Sequence, residues 1–193
     1  MRQVHCLLSL LSAALVLGSA EAAPACWTPV PEQSAITFSV DQAGAPLQGS
    51  FKSYSAEVCL DPKDVAKGSI RVDVETASAD TEVPELDEAL KDPDFFDVAH
   101  WPKASFVSES MKATGAGQYS VTGKLTIRDV TREVTVPFAW APTADGKSAK
   151  LTAHISIQRL DYKVGTGQWA DPKWVGNQVD LGFSVAFKPA AAK

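Results

Sequence analysis

Histidine and cysteine are scarce in this chain, three of each among 193 residues, and the motifs of covalent and metal chemistry are scarce with them. No C-x-x-C pair occurs, which excludes a dithiol redox site of the thioredoxin kind. There is no G-x-S-x-G elbow for an activated serine and no glycine-rich phosphate loop. Charge is not concentrated either: 18 Lys and Arg stand against 23 Asp and Glu, mixed along the chain, for a net charge of −5. That balance leaves out the basic footprint of a nucleic-acid binder and a polybasic patch for anionic lipid headgroups. Internal repeats and low-complexity segments are absent as well.

Only one long apolar run exists. It covers Cys6 to Leu17, behind Met1-Arg2 and ahead of the small residues Gly18-Ser19-Ala20-Glu21-Ala22-Ala23. This is the layout of a cleaved secretory signal peptide, and the run is too short for a stable membrane anchor. Cleavage is expected after Ala22, with Ala23 as the near alternative. Residues 1–22 are then the leader, and residues 23–193 form a single domain with room for a sizeable core. The expected location is the periplasm. Arg2 and Glu21 cancel, so loss of the leader leaves the net charge at −5.

Cys6 leaves with the leader. Cys26 and Cys59 remain, an even pair in an oxidising compartment. A disulfide between them ties the N-terminal segment to the second strand and, for a loop of this size, contributes about 3–4 kcal/mol. Lipidation of Cys26 is the alternative, because Ala23-Pro24-Ala25-Cys26 faintly resembles a lipobox; Pro24 and the distance from the apolar run count against it.

What the chain does have is two-residue alternation. It runs through Ile36, Phe38 and Val40; through about Gly49–Leu60; through Ile70, Val72 and Val74; and through about Ala104–Ala113. It resumes at Tyr119–Ile127, Val130–Trp140, Leu151–Ile157 and Val179–Phe187. These are about eight strands, each apolar on one face. One-sided strands belong to antiparallel sheets with one face on a core, and short connections make a barrel or sandwich. Leu86, Ala89 and Leu90 have helical spacing, so Val83–Lys91 is expected as a short amphipathic helix ended by Pro93. Residues 24–33 read as an extended lead-in, 161–178 as a long loop, and 189–193 as a disordered tail.

Five phrases come in order. Ser34-x-Ile36-x-Phe38 precedes Gly49-Ser50-Phe51; then come Phe95-Phe96-Asp97 with Trp101-Pro102 and Phe106. Gly123 to Arg132 follows as a hairpin, and Arg159-Leu160-Asp161-Tyr162 with Val175-Gly176-Asn177-Gln178-Val179 closes the series. Together they resemble the YceI-like family of periplasmic polyisoprenoid-binding proteins, from about Trp27 to Lys188. Asp41 stands where that family often has His, Asp129 where it usually has Gly, and the two cysteines lie outside the general pattern. The resemblance implies an all-β fold, an eight-stranded antiparallel lipocalin-like barrel with short helical insertions. It also implies an elongated apolar cavity and a role in carrying an isoprenoid lipid, either a polyprenyl chain or a quinone tail.

The candidate lining residues are the inward ones: Phe38, Val40, Val72, Val74, Leu125, Ile155, Ile157, Leu181 and Phe183. Each of them either faces a ligand or fills a dry core. Phe95, Phe96, Trp101, Trp169 and Trp174 are candidates for a ligand mouth, or for plugs of the barrel ends. Arg159 is a candidate for a pyrophosphate or quinone oxygen through its fork of donors, or for an ion pair with Asp161 or Asp97. His100 with Asp94 and Asp97 matches no established metal motif. No catalytic residue, metal ligand or cofactor is assigned. The main alternative to a carrier is a packed barrel that presents its aromatic loops to a protein partner. Transient membrane contact and a homodimer are further expectations.

Overall fold

Alternation becomes strand where it was expected, and in two places where it was not. The computed structural model describes residues 25–191; the leader and both cleavage points lie outside the described residues. The strands are β1 (Cys26–Pro29), β2 (Ala35–Gln42), β3 (Ala45–Phe51), β4 (Tyr54–Cys59), β5 (Ser69–Glu75) and β6 (Ala79–Asp80). After the helix α1 (Pro84–Lys91) come β7 (Lys103–Gly115), β8 (Gln118–Ile127), β9 (Val130–Pro142), β10 (Ala149–Gln158) and β11 (Val175–Pro189). The ring β1–β4–β5–β7–β8–β9–β10–β11 returns to β1, so eight antiparallel strands close a barrel.

The lead-in is not merely extended. β1 lies against the far end of β11 and against β4, and β2 continues along the same edge of β11. A 3-10 turn at Pro31–Gln33 separates the two. Ser34 fastens it: its hydroxyl donates to Val30 O at 2.7 Å and accepts from Ala186 N at 2.9 Å. The expected second strand splits for the same reason. β3 pairs with β2 and β4 with β1, and the chain bends at Lys52–Ser53 between them. The bend shifts the alternation by one, so Phe51 and Tyr54 both face inward. The supposed tail also begins in order: Pro189 pairs with Trp27, and Ala190 N donates to Cys26 O at 2.8 Å.

The Cys26–Cys59 disulfide joins direct cross-strand partners, so the Cys26 thiol is committed to the bridge rather than to a lipid. It sits where the short β1 closes the ring. α1 has Pro84 in its first turn with Glu85 and Asp87, and Lys91 in its last, which suits the helix dipole at both ends.

Candidate functional site

Strand periodicity points one face of every strand at the barrel axis. Near the β1 end the space is filled. Trp27 and Trp140 meet edge to face at 5.4 Å, Phe187 lies 5.5 Å from Trp140, and Tyr119 stacks on Phe138. Phe187 is 2 % exposed and Trp140 4 %. At the opposite end Ile127, Ile157, Tyr162 and Val164 form a second buried cluster.

Between these ends the interior is open. A cavity of about 230 Å³ runs through the barrel. Phe38, Val40, Val72, Val74, Phe106, Leu125, Ile155, Leu181 and Phe183 point into it and are only half-buried, although they face the axis. Ile157 also lines it, at the closed end. In a filled core at organic-crystal density such residues would retain almost no accessible surface. The lining is apolar apart from Ser105, Arg159 and the hydroxyls of Tyr54 and Tyr162.

Alternation did not single out several lining residues. Tyr54 and Ala56 were masked by the parity shift at Lys52–Ser53. Val134 and Val136 follow the β9 alternation and were legible as strand, though not as site. Leu90 reaches the cavity from α1; its apolar helical face was the available signal. A register shift between Ser108 and Ser110 changes parity along β7, so that Phe106 and Met111 both face inward.

The loop aromatics divide. Phe95 and Phe96 line the cavity, and Phe96 continues an interior chain of rings through Phe51 at 6.0 Å to Phe38 at 5.4 Å from Phe51. Trp101, Trp169 and Trp174, candidates for a ligand mouth or for plugs of the barrel ends, lie outside the lining. Trp169 backs Phe95 at 5.7 Å, while Trp101 and Trp174 are 36 % and 60 % exposed. Their backbone carbonyls also take part: Trp169 O accepts from Arg159, Trp101 O from Thr76 and Trp174 O from Ala43.

Arg159 matches neither expectation. It is 3 % exposed, and its five N–H groups are all used by backbone carbonyls. Nε donates to Gly176 O, Nη1 to Val164 O and Gly165 O, and Nη2 to Trp169 O and Val175 O. The carboxylates proposed as its partners are engaged elsewhere, Asp97 with Arg128 and Asp161 with Arg132, each at 3.7 Å. Burial lowers the Arg159 pKa, yet the guanidinium stays charged because its ordinary value is so high. The side chain thus gathers the loop between β10 and β11 into a fixed cap, and no donor is left over for a ligand. Gly165 makes room for it: at φ 76° a Cβ there would stand 2.2 Å from Nη1.

The cap also holds the loop before β7. Asp94 O accepts from Gly165 N at 2.7 Å and Thr166 N at 2.8 Å, and Arg128 Nη1 donates to Phe95 O and Lys163 O. Asp97 is 9 % exposed and accepts from His100 Nδ1 at 2.8 Å. Asp94 turns instead toward Thr166 and Gly167, so the two carboxylates do not converge with His100. Among the described residues, the group of possible metal ligands that does converge is Cys26, Glu57 and Cys59, and both sulfurs are in the disulfide. Tyr162 is buried in the cap, and burial pushes its phenol above the ordinary 10.0, with Arg132 opposing and Asp161 adding.

Known proteins share this barrel. A protein named YceI from Escherichia coli O157:H7 is 33 % identical over 143 residues, 72 % of each chain. The crystal structure of Burkholderia cenocepacia BcnA is 32 % identical, with a TM-score of 0.79 over 82 % of this chain and 98 % of that one. A polyisoprenoid-binding domain from Saccharophagus degradans shares the fold at 12 % identity, with a TM-score of 0.67 over 86 % of this chain and 99 % of that one. The YceI-like domain profile matches residues 27–187, and the chain belongs to that family.

Proposed function

We propose that this protein is a non-catalytic periplasmic carrier that holds one isoprenoid lipid, a polyprenyl chain or a quinone tail, inside the barrel. One observation carries the reading: the cavity of about 230 Å³ is walled by apolar side chains that stay half-buried while facing the axis. A void of that lining favours a slender hydrocarbon. Each methylene moved out of water contributes about 0.8 kcal/mol, so a five-carbon unit contributes about 4 kcal/mol at most. Three or four units then offset the loss of translational and rotational freedom, about 4–15 kcal/mol, without any polar contact. The branched and aromatic lining of Val, Leu, Ile and Phe suits a methyl-branched chain. The polyisoprenoid-binding domain of similar fold supports the ligand class, and the disulfide is compatible with export.

The test is native mass spectrometry of the protein purified from its own periplasm, followed by organic extraction. One lipid per chain, with masses spaced by isoprene units, is the expected result. A chain that is empty as purified, and stays empty after incubation with polyprenols and quinones, would overturn the reading.

A further inference from the structure

Hydrogen-bonded sheet makes most of the cavity wall; the exceptions are the β10–β11 cap, with Arg159, Tyr162 and Val164, and the excursion between β6 and β7. β3 pairs with β2 along its length but meets β6 only at Ser50 and Phe51. Its edge over residues 45–49 therefore has no strand partner among the described residues. The excursion meets β3 at its β6-paired end, with Phe96 against Phe51, and contributes Leu90, Phe95 and Phe96 to the lining.

The two halves of the excursion are held differently. Residues 94–97 are fastened to the β10–β11 cap and to Arg128 through Asp94 O, Phe95 O and the Asp97 carboxylate. α1 is not. Outside its own turns, its hydrogen bonds and ion pairs all stay within residues 81–98. None of its residues is buried. A helix this short is not stable by itself in water, so it depends on its half-buried apolar face, Leu86, Ala89 and Leu90, and on its N-terminal root. That root is a single carboxylate: Asp87 Oδ1 accepts from Thr81 N and Thr81 Oγ1, both at 2.7 Å. Left-handed residues bound the segment, Glu82 at φ 63° and Asp97 at φ 50°.

We propose that α1 is the door of the cavity. It swings out of the cavity wall, carrying Leu90 with it, on its Thr81–Asp87 root, while the Arg159 cap and the disulfide-closed end stay fixed. The proposal rests on the carrier reading, and it assigns the route by which an apolar cargo enters and leaves.

The experiment is stopped-flow fluorescence with all-trans-retinol, an isoprenoid probe, on the full chain and on Asp87→Ala. Asp87 does not line the cavity. Loss of two hydrogen bonds to a carboxylate should speed both association and dissociation about tenfold, with Kd within about twofold. Amide exchange should rise in α1 and stay unchanged in β7–β11, which verifies the fold. Val83→Asp supplies the side-chain cap that the helix lacks, at a position 40 % exposed, and should slow both rates. If dissociation alone rises and Kd weakens with it, α1 is a wall and not a door. Unchanged rates with a loosened α1 overturn the door as well. If retinol and polyprenols both fail to bind the unaltered chain, the carrier reading falls and takes the door with it.

Discussion

Replacing Ala153 by phenylalanine separates an open barrel from a filled one. Ala153 lies at mid-barrel on β10, paired with Phe138 on β9 and Phe183 on β11, and it lines the cavity. In an open barrel, a ring added there takes up void between Phe138 and Phe183. Burying a phenylalanine side chain contributes up to about 3 kcal/mol; subtracting the methyl already present and the loss of rotamer freedom leaves about 1–2 kcal/mol. For a domain of this size each kcal/mol moves Tm by about 2–4 °C, so Ala153→Phe should melt about 2–8 °C higher. The same ring occupies the middle of the channel and should abolish retention of a polyprenol. A filled core gives the opposite pair of results, since an added ring in packed surroundings costs about 1–3 kcal/mol. Calorimetry of the lipid-free protein, with native mass spectrometry after polyprenol loading, reads both quantities. A fall in Tm of several degrees with lipid still retained would refute the reasoning.

Other consequences are equally direct. Arg159→Lys replaces five donors by three and strands at least two of the five carbonyls; urea denaturation should show a loss of about 2–4 kcal/mol, with faster amide exchange at residues 163–176. Cys26→Ser with Cys59→Ser removes a bridge spanning 33 positions and should cost about 3–4 kcal/mol, read as a lower urea midpoint. Because burial raises the Tyr162 pKa, the folded state holds that proton after the unfolded chain has lost it. Its stabilising share is complete below about pH 10 and declines as pH rises from there through the folded value. Tyr162→Phe should flatten that decline in denaturation series above pH 10.

The barrel was legible because burial on one face writes itself into every second residue. Phe38, Val40, Val72, Val74, Leu125, Leu181 and Phe183 could be read inward from that rule alone, and all line the cavity. The rule fails wherever parity slips, as at Lys52–Ser53 and in β7, because alternation carries no memory across a bend or bulge. β1 was missed because four residues with a proline at the end are too few to show a period. The tryptophans were less legible for a different reason: their size suggests a ligand surface or a plug, whereas all three also accept through backbone carbonyls, which the identity of a side chain does not reveal. The part Arg159 plays was not legible, since five carbonyl acceptors leave no mark in the sequence.

One strand sets the order of events by which this molecule assembles. β11 follows the other strands along the chain, yet it is the neighbour of β10, β2 and β1 together, with contacts reaching 152 positions back to Ser34. Neither half of the N-terminal edge has its full set of partners before β11 arrives. Closure of such long loops is slow, and the half-built sheet leaves its apolar face and two edges uncovered meanwhile. A chain emerging N-terminus first therefore stays incomplete until its final strand is delivered. That makes it dependent on protection from aggregation until the fifteen-residue β11 docks.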